Sequence, residues 1–163
     1  MSRRTTVALC ALGVVLTACG TGRQAEVLRE HTSITGLNVN LRDGNIQVRN
    51  VYATPTATGV TQALVGETLT LHFHVYNRTG QPELMVVAPP VVLAGPGVVA
   101  GAVTIAPNNS VTVGGPTGGI TAMIPKVTRP VWVGTYVSMT LSFANAGHVD
   151  LTVPVQDASV AQF

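Results

Sequence analysis

The chain has 163 residues, nine Lys and Arg against seven Asp and Glu, and two cysteines. That length suits one domain of ordinary size. The near balance of charge excludes the electrostatic footprint of a nucleic-acid binder and the polybasic patch that seeks anionic lipid. Two cysteines cannot build a disulfide framework.

Arg3 and Arg4 open the chain, and an almost wholly apolar stretch runs from Val7 to Ala18. A basic start, a short apolar core and small residues at its end describe a secretory signal peptide. The stretch is too short to span a bilayer, which takes ~20 apolar residues. Its end, Leu16-Thr17-Ala18-Cys19, resembles the bacterial lipobox, Leu-[Ala/Ser/Thr]-[Gly/Ala]-Cys. That resemblance implies a diacylglyceryl thioether on the Cys19 sulfur and cleavage before Cys19, so residues 1–18 leave. Two acyl chains anchor stably where one is marginal. The expected location is the extracytoplasmic face of the cell membrane, with lipid as the membrane partner. The competing readings of Cys19 are an incidental residue at an ordinary cleavage site or a buried core thiol. Cys10 leaves with the signal, and so do Arg3 and Arg4. The mature chain is then formally neutral, with seven cations against seven acids.

Residues 19–33 carry the lipidated cysteine and a polar stretch, GTGRQAEVLREHTS, expected to be a flexible tether. Residues 34–156 change character. Short runs of Val, Thr, Ile and Leu alternate with Gly, Pro and Asn clusters, which predicts an all-β sandwich or barrel. The strongest strand is Thr68 to Tyr76, TLTLHFHVY. Leu69, Leu71, Phe73 and Val75 share one face, and Thr70, His72, His74 and Tyr76 the other. Val137 to Phe143 points Val137, Met139, Leu141 and Phe143 inward. Asn145-Ala146-Gly147 turns the chain, and Val149, Leu151, Val153 and Val155 alternate inward again, which predicts a β-hairpin. Further strands are expected at 34–41, 45–52, 84–88, 98–105, 110–113, 120–124 and 131–133. Pro89-Pro90 and Pro96 suggest an edge or a loop, and Gly114 to Gly119 a flexible connection. Residues 157–163 are expected to fray.

Catalytic chemistry finds little support. No serine sits in a Gly-x-Ser-x-Gly setting, no phosphate-cradling glycine loop is present, and the acids are scattered singly. The chain is therefore expected not to be an enzyme. The metal signal is His72-Phe73-His74. Residues two apart on a strand face the same way, roughly 6.5–7 Å apart, and two such imidazoles join one copper or zinc ion if other ligands complete the shell. Candidate further ligands are His31, Met85, Met123 and His148. Against this stands the reading of His72 and His74 as polar residues on the solvent face of a half-buried strand, and of Met123 as a packing residue.

The order of segments resembles the PCu(A)C copper-chaperone domain. Val131 to Val155, VWVGTYVSMTLSFANAGHVDLTVPV, fits its proline-led loop, its glycine, a VxLTLxF strand and an xxAGxVxxxVPV ending. Leu71 to Gly80 resembles the family strand that ends in Asn-x-[Ser/Thr/Gly]-Gly. A closer resemblance is to the LpqE-type lipoproteins of mycobacteria and relatives, which share the lipobox, the tether and an early Asn-Val-x-Leu-Arg-Asp segment, here Asn38 to Asp43. The resemblance implies an immunoglobulin-like or cupredoxin-like antiparallel β-sandwich. It also implies Cu(I) held by a His and a Met in mid-domain and a later His-x-Met. The later pair falls on Thr121 and Met123; the earlier falls between Val91 and Ile105, where there is neither His nor Met. One of four ligands remains. The first expectation is thus a lipid-anchored, non-catalytic module without cofactor that binds a protein or another envelope component. The alternative is a copper or other metal carrier using His72 and His74 with His148 or Met123.

Overall fold

The computed structural model describes residues 36–115 and 119–159. The signal, Cys19, the tether and His31 lie outside the described residues. Thirteen described strands follow in order: β1 (Leu37–Leu41), β2 (Ile46–Pro55), β3 (Gln62–Ala63), β4 (Leu69–Asn77), β5 (Glu83–Val87), β6 (Val92–Ala94), β7 (Val98–Val99), β8 (Ala102–Ile105), β9 (Asn109–Val113), β10 (Thr121–Ile124), β11 (Val131–Trp132), β12 (Tyr136–Phe143) and β13 (Gly147–Pro154). They form two antiparallel sheets. The first has the order β1-β2-β4-β10-β6, with β9 beside the second half of β4; the second has the order β13-β12-β5-β8-β7. A short β11-β3 pair sits where β2 ends and β4 begins. That extremity is the Pro55 end below; the opposite one is the Asn77 end. Among the described residues no helix is long and apolar enough to cross a membrane.

The expected β-sandwich is what the chain builds. Alternation explains why: a residue of period two puts every second side chain between the sheets. In β4, Leu69, Leu71, Phe73 and Val75 are fully buried, as their parity predicts. They meet Met85, Ile105, Leu141, Phe143, Leu151 and Val153 from the second sheet in one apolar cluster. The β12–β13 hairpin pairs Tyr136 with Pro154 through to Phe143 with Gly147. Val137 and Val149, expected inward, are only half-buried at its margins.

Three local departures have physical causes. The stretch expected as one strand at 98–105 folds back on itself, because Ala100 and Gly101 both take left-handed φ values, 49° and 77°. Val98 then pairs with Val103, and Val99 with Ala102. The two-residue β3 and three-residue β6 were too short to be visible as patterns. Finally, the edge of β2 beyond β1 is covered by the chain's own end. Val155 bridges Ala53 in parallel, and Gln156 donates its N–H to the Ala53 carbonyl at 2.8 Å.

The Asn77 end is pinned by two buried polar side chains. The Asn77 amide donates to the carbonyls of Gln81 (2.8 Å) and Ile105 (3.1 Å), and its oxygen accepts the Thr79 N–H (2.9 Å). The Glu83 carboxylate accepts the Asn145 N–H at 2.7 Å. Removing the amide leaves buried carbonyls unpaired, which costs about 1–3 kcal/mol per group. Asn77→Ala is expected to lower unfolding stability by about 2 kcal/mol, measured as the urea midpoint at unchanged slope.

Candidate functional site

The candidate site lies on the outer face of the first sheet, and a bulge in β2 creates it. Up to Val48, even-numbered residues point inward. The register then shifts between Arg49 and Tyr52, with Asn50 at a left-handed φ of 54°. Beyond the bulge, odd-numbered Val51 and Ala53 join the core. Tyr52 and Thr54 are turned to the outside, a typical use of a bulge to re-aim side chains. The Asn38 side chain holds the bulge by accepting the Asn50 N–H at 2.9 Å.

Tyr52 thereby comes to lie opposite His72 of β4. The rings stack with centroids 4.6 Å apart and planes 10° from parallel. His72 Nδ1 lies 2.7 Å from the Gly114 carbonyl, and Nε2 lies 3.0 Å from Thr54 Oγ1. A carbonyl only accepts, so Nδ1 carries the proton, and in the neutral ring Nε2 accepts the Thr54 hydroxyl. Burial holds the His72 pKa below its ordinary 6.5, against a smaller upward pull from the Gly114 carbonyl. His72 is 8% exposed. Parity placed it on the outer face as expected, but that face is not open to solvent here.

Gly114 makes the cover possible. Its φ is +79°, and a Cβ there would stand 2.4 Å from the Leu71 carbonyl oxygen and 2.7 Å from His72 Nδ1. Only a residue without a side chain brings its backbone this close. Its N–H donates to the Ile120 carbonyl at 2.8 Å, and Val113 bridges Ile120. The start of the glycine stretch, expected to be a flexible connection, is thus a fixed lid over the imidazole.

The other candidate ligands fall as follows. His74 shares the outer face with His72, opposite Arg49 on one side and Thr112 on the other, with Nδ1 3.0 Å from Thr112 Oγ1. Met123 is half-buried in β10 opposite Thr70, one pair along from His72. Thr121 pairs with Ala94 and donates its hydroxyl to the Ala94 carbonyl at 3.2 Å. Met85 is fully buried in the core. His148 is exposed on β13, opposite Ser142, in the second sheet. The grouping of His148 with His72 and His74 is not realised, because the hydrophobic core, about 10 Å thick between stacked sheets, separates them. Among the described residues no three His, Cys, Asp or Glu side chains gather as a metal shell. Sequence reading missed Tyr52, Thr54 and Gly114. Their roles depend on a bulge and a crossing loop, neither of which leaves a periodic trace.

The cleft at the Pro55 end has a volume of about 180 Å³ and is lined by Leu69, Pro90, Ile124, Val127 and Val137, with Lys126 and Arg129 beside them. It is smaller than the 300–1,000 Å³ usual for small-molecule sites, whereas two open, shallow clefts near it, one lined by Gly59, Thr61, Gln62 and Leu64 and one by Thr56, Ala57 and Thr68, reach about 310 and 340 Å³.

The fold is an all-β sandwich like that of PCuAC domains. No family model and no curated protein matches the sequence. Among solved structures the chain is similar to "Copper-bound PCuAC domain from PmoF2" (21% identity, TM-score 0.56, 74% of this chain and 98% of that one). It is also similar to "Apo PCuAC domain from PmoF1" (18%, TM-score 0.58, 74% and 99%) and "apo PmoF2 PCuAC domain" (20%, TM-score 0.56, 74% and 95%). The likeness establishes a shared fold.

Two tests follow from this geometry. His72→Ala strands the Gly114 carbonyl and the Thr54 hydroxyl in a buried site and removes the Tyr52 stack. It is expected to cost at least about 2 kcal/mol, and His74→Ala under about 1 kcal/mol; chemical denaturation of both compares them directly. The folded His72 pKa lies below its unfolded value, so between the two the unfolded chain binds more protons. Its contribution to stability is complete above about pH 6.5 and declines as pH falls toward the folded pKa. The stability difference between wild type and His72→Gln, followed from pH 8 to 5, is expected to shrink on acidification.

Proposed function

We propose that the chain is a lipid-anchored, extracytoplasmic binding module on a PCuAC-type sandwich, without catalytic activity. In it His72 is a structural residue and not a metal ligand. The observation that carries this reading is the use of both His72 ring nitrogens within the protein, at Gly114 and Thr54. A metal at Nε2 would have to displace the Thr54 hydroxyl from a ring that is itself buried. Met123 is the one residue of the copper set that the resemblance transfers, and a lone thioether gives a weak Cu(I) site. The absence of enzymatic action is supported by the sequence, in which no serine sits in a Gly-x-Ser-x-Gly setting and the acids are scattered singly. The anchor is supported by Leu16-Thr17-Ala18-Cys19 at the end of an apolar signal. A partner then meets a domain held at the membrane surface. Actinobacterial lipoproteins of the LpqE type are the group this reading places it beside.

The test is a Cu(I) titration of the mature chain carrying Cys19→Ser, because a free thiolate would itself bind Cu(I). A chromogenic chelator competes for the metal. The expected result is that the chelator keeps its copper at one equivalent of protein. Tight one-to-one transfer that disappears in His74→Ala or Met123→Leu would overturn the proposal and establish metal handling on the outer face instead.

A further inference from the structure

The exposed apolar side chains cluster unevenly. Leu64 (51% exposed), Val65 (62%), Trp132 (52%) and Tyr136 (61%) all stand at the Pro55 end. They project from two turns. In one, Glu67 N–H bonds to the Leu64 carbonyl at 3.0 Å; in the other, Thr135 N–H bonds to the Trp132 carbonyl at 3.1 Å. The β3–β11 pair joins the turns, with Val131 opposite Ala63 and Trp132 opposite Gln62. Gly66 N–H adds a bond to the Val127 carbonyl at 2.9 Å, and Val133 N–H one to the Thr61 carbonyl at 2.9 Å. The rim is therefore a fixed part of the fold. Its turn carboxylate, Glu67, is directed at the Leu64 N–H at 2.7 Å.

The direction of β1 says what faces this rim. Leu37 pairs with Val51, and Leu41 with Ile46, so β1 runs away from the Pro55 end. β1 therefore begins on the rim's side of β2, with Gly36 against Asn50 and Val51. From Cys19 to Gly36 the backbone spans at most about 60 Å. We propose that the rim of Leu64, Val65, Trp132 and Tyr136 seats in the interfacial layer of the bilayer that carries the anchor. This rests on the anchored reading above and adds a defined orientation to it.

The chemistry suits that occupant. Indole and phenol rings are apolar bodies with one polar tip, the combination enriched where membrane meets water. Lys126 and Arg129 stand at the same end, and on an uncharged lipid surface the docking rests on apolar contact. A tether of this length makes the contact intramolecular at an effective concentration of the order of millimolar, so an intrinsically weak patch suffices. Leu84, Val86 and Val99 form a second exposed apolar group, on the outer face of the second sheet and without an aromatic member, while Tyr76 and Val92 are exposed on β4 and β6 of the first sheet.

Trp132 is the single tryptophan, so its emission reports the rim directly. The mature chain from Cys19 is coupled through its one thiol to a maleimide headgroup in phosphatidylcholine vesicles. This supplies the anchor whether or not cells acylate Cys19. The expected result is a blue-shifted Trp132 emission, quenched severalfold more by lipids brominated near the headgroup than by water-soluble iodide. Raising salt from 0.1 to 0.5 M leaves it unchanged. Leu64→Asp with Val65→Asp abolishes the shift while far-UV circular dichroism is preserved; Leu84→Asp with Val86→Asp does not. An emission identical in coupled and free protein overturns the proposal, and so does loss of the shift only in the Leu84/Val86 variant. A blue shift that grows with protein concentration in the absence of vesicles, with a dimer in sedimentation, also overturns it and assigns the rim to a second copy. Mass spectrometry of the Cys19 peptide from cells tests the anchor separately: an unmodified thiol there would remove the anchored reading while the vesicle result still stands or falls by itself.

Discussion

The outer face of the first sheet depends on one extra residue in β2. Sheet faces are fixed by parity, so a single inserted position reverses everything after it. Asn50 is that position. Without the reversal, Tyr52 would enter the core and odd-numbered Val51 and Ala53 would face outward. With it, an aromatic ring and a hydroxyl reach the strand neighbour His72, and the core keeps its small aliphatic residues. The stacked rings and the Thr54 bond to the imidazole follow from this shift, while the Gly114 carbonyl reaches the ring from the β9 side of β4.

A buried imidazole that donates to a carbonyl and accepts from a hydroxyl is held in one tautomer. Such a group is useful for cohesion because both of its polar atoms are satisfied in a low-dielectric setting. The same satisfaction makes it a poor ligand. His74, two residues along the same strand, shows how local the effect is. It shares the face and the spacing but sits beyond the Gly114 crossing, among Arg49 and Thr112, and its burial is only partial. The His-x-His pattern therefore hides two different environments. The fold is shared with copper-binding PCuAC domains, yet function belongs to sites and not to folds.

Much of the architecture was legible in the sequence. Leu69, Leu71, Phe73 and Val75, and again Met139, Leu141 and Phe143, announce their inward face by strict alternation, and Asn145 to Gly147 announces the hairpin. Asn77-Arg78-Thr79-Gly80 has the composition of a turn, but nothing in it announces the buried hydrogen-bond hub that Asn77 makes. Two-residue strands such as β3 have no period to detect. The candidate site was legible only in part. His72 stood out as an outward polar residue, but its cover comes from Gly114, 42 residues away, and its stacking partner from a bulge whose residues, Asn50 and Val51, carry no distinctive pattern. Contacts of that range depend on register, and register is decided by the whole sheet.

The parallel bridge between Ala53 and Val155 ties an early strand to the segment that follows β13. A polypeptide emerges N-terminus first, so β2 is made about 100 residues before the segment that covers its open edge. Until that segment is free, the second half of β2 keeps unpaired donors and acceptors, and the two sheets are not joined along that side. The domain therefore completes itself only after Val155 and Gln156 have been made and have reached Ala53.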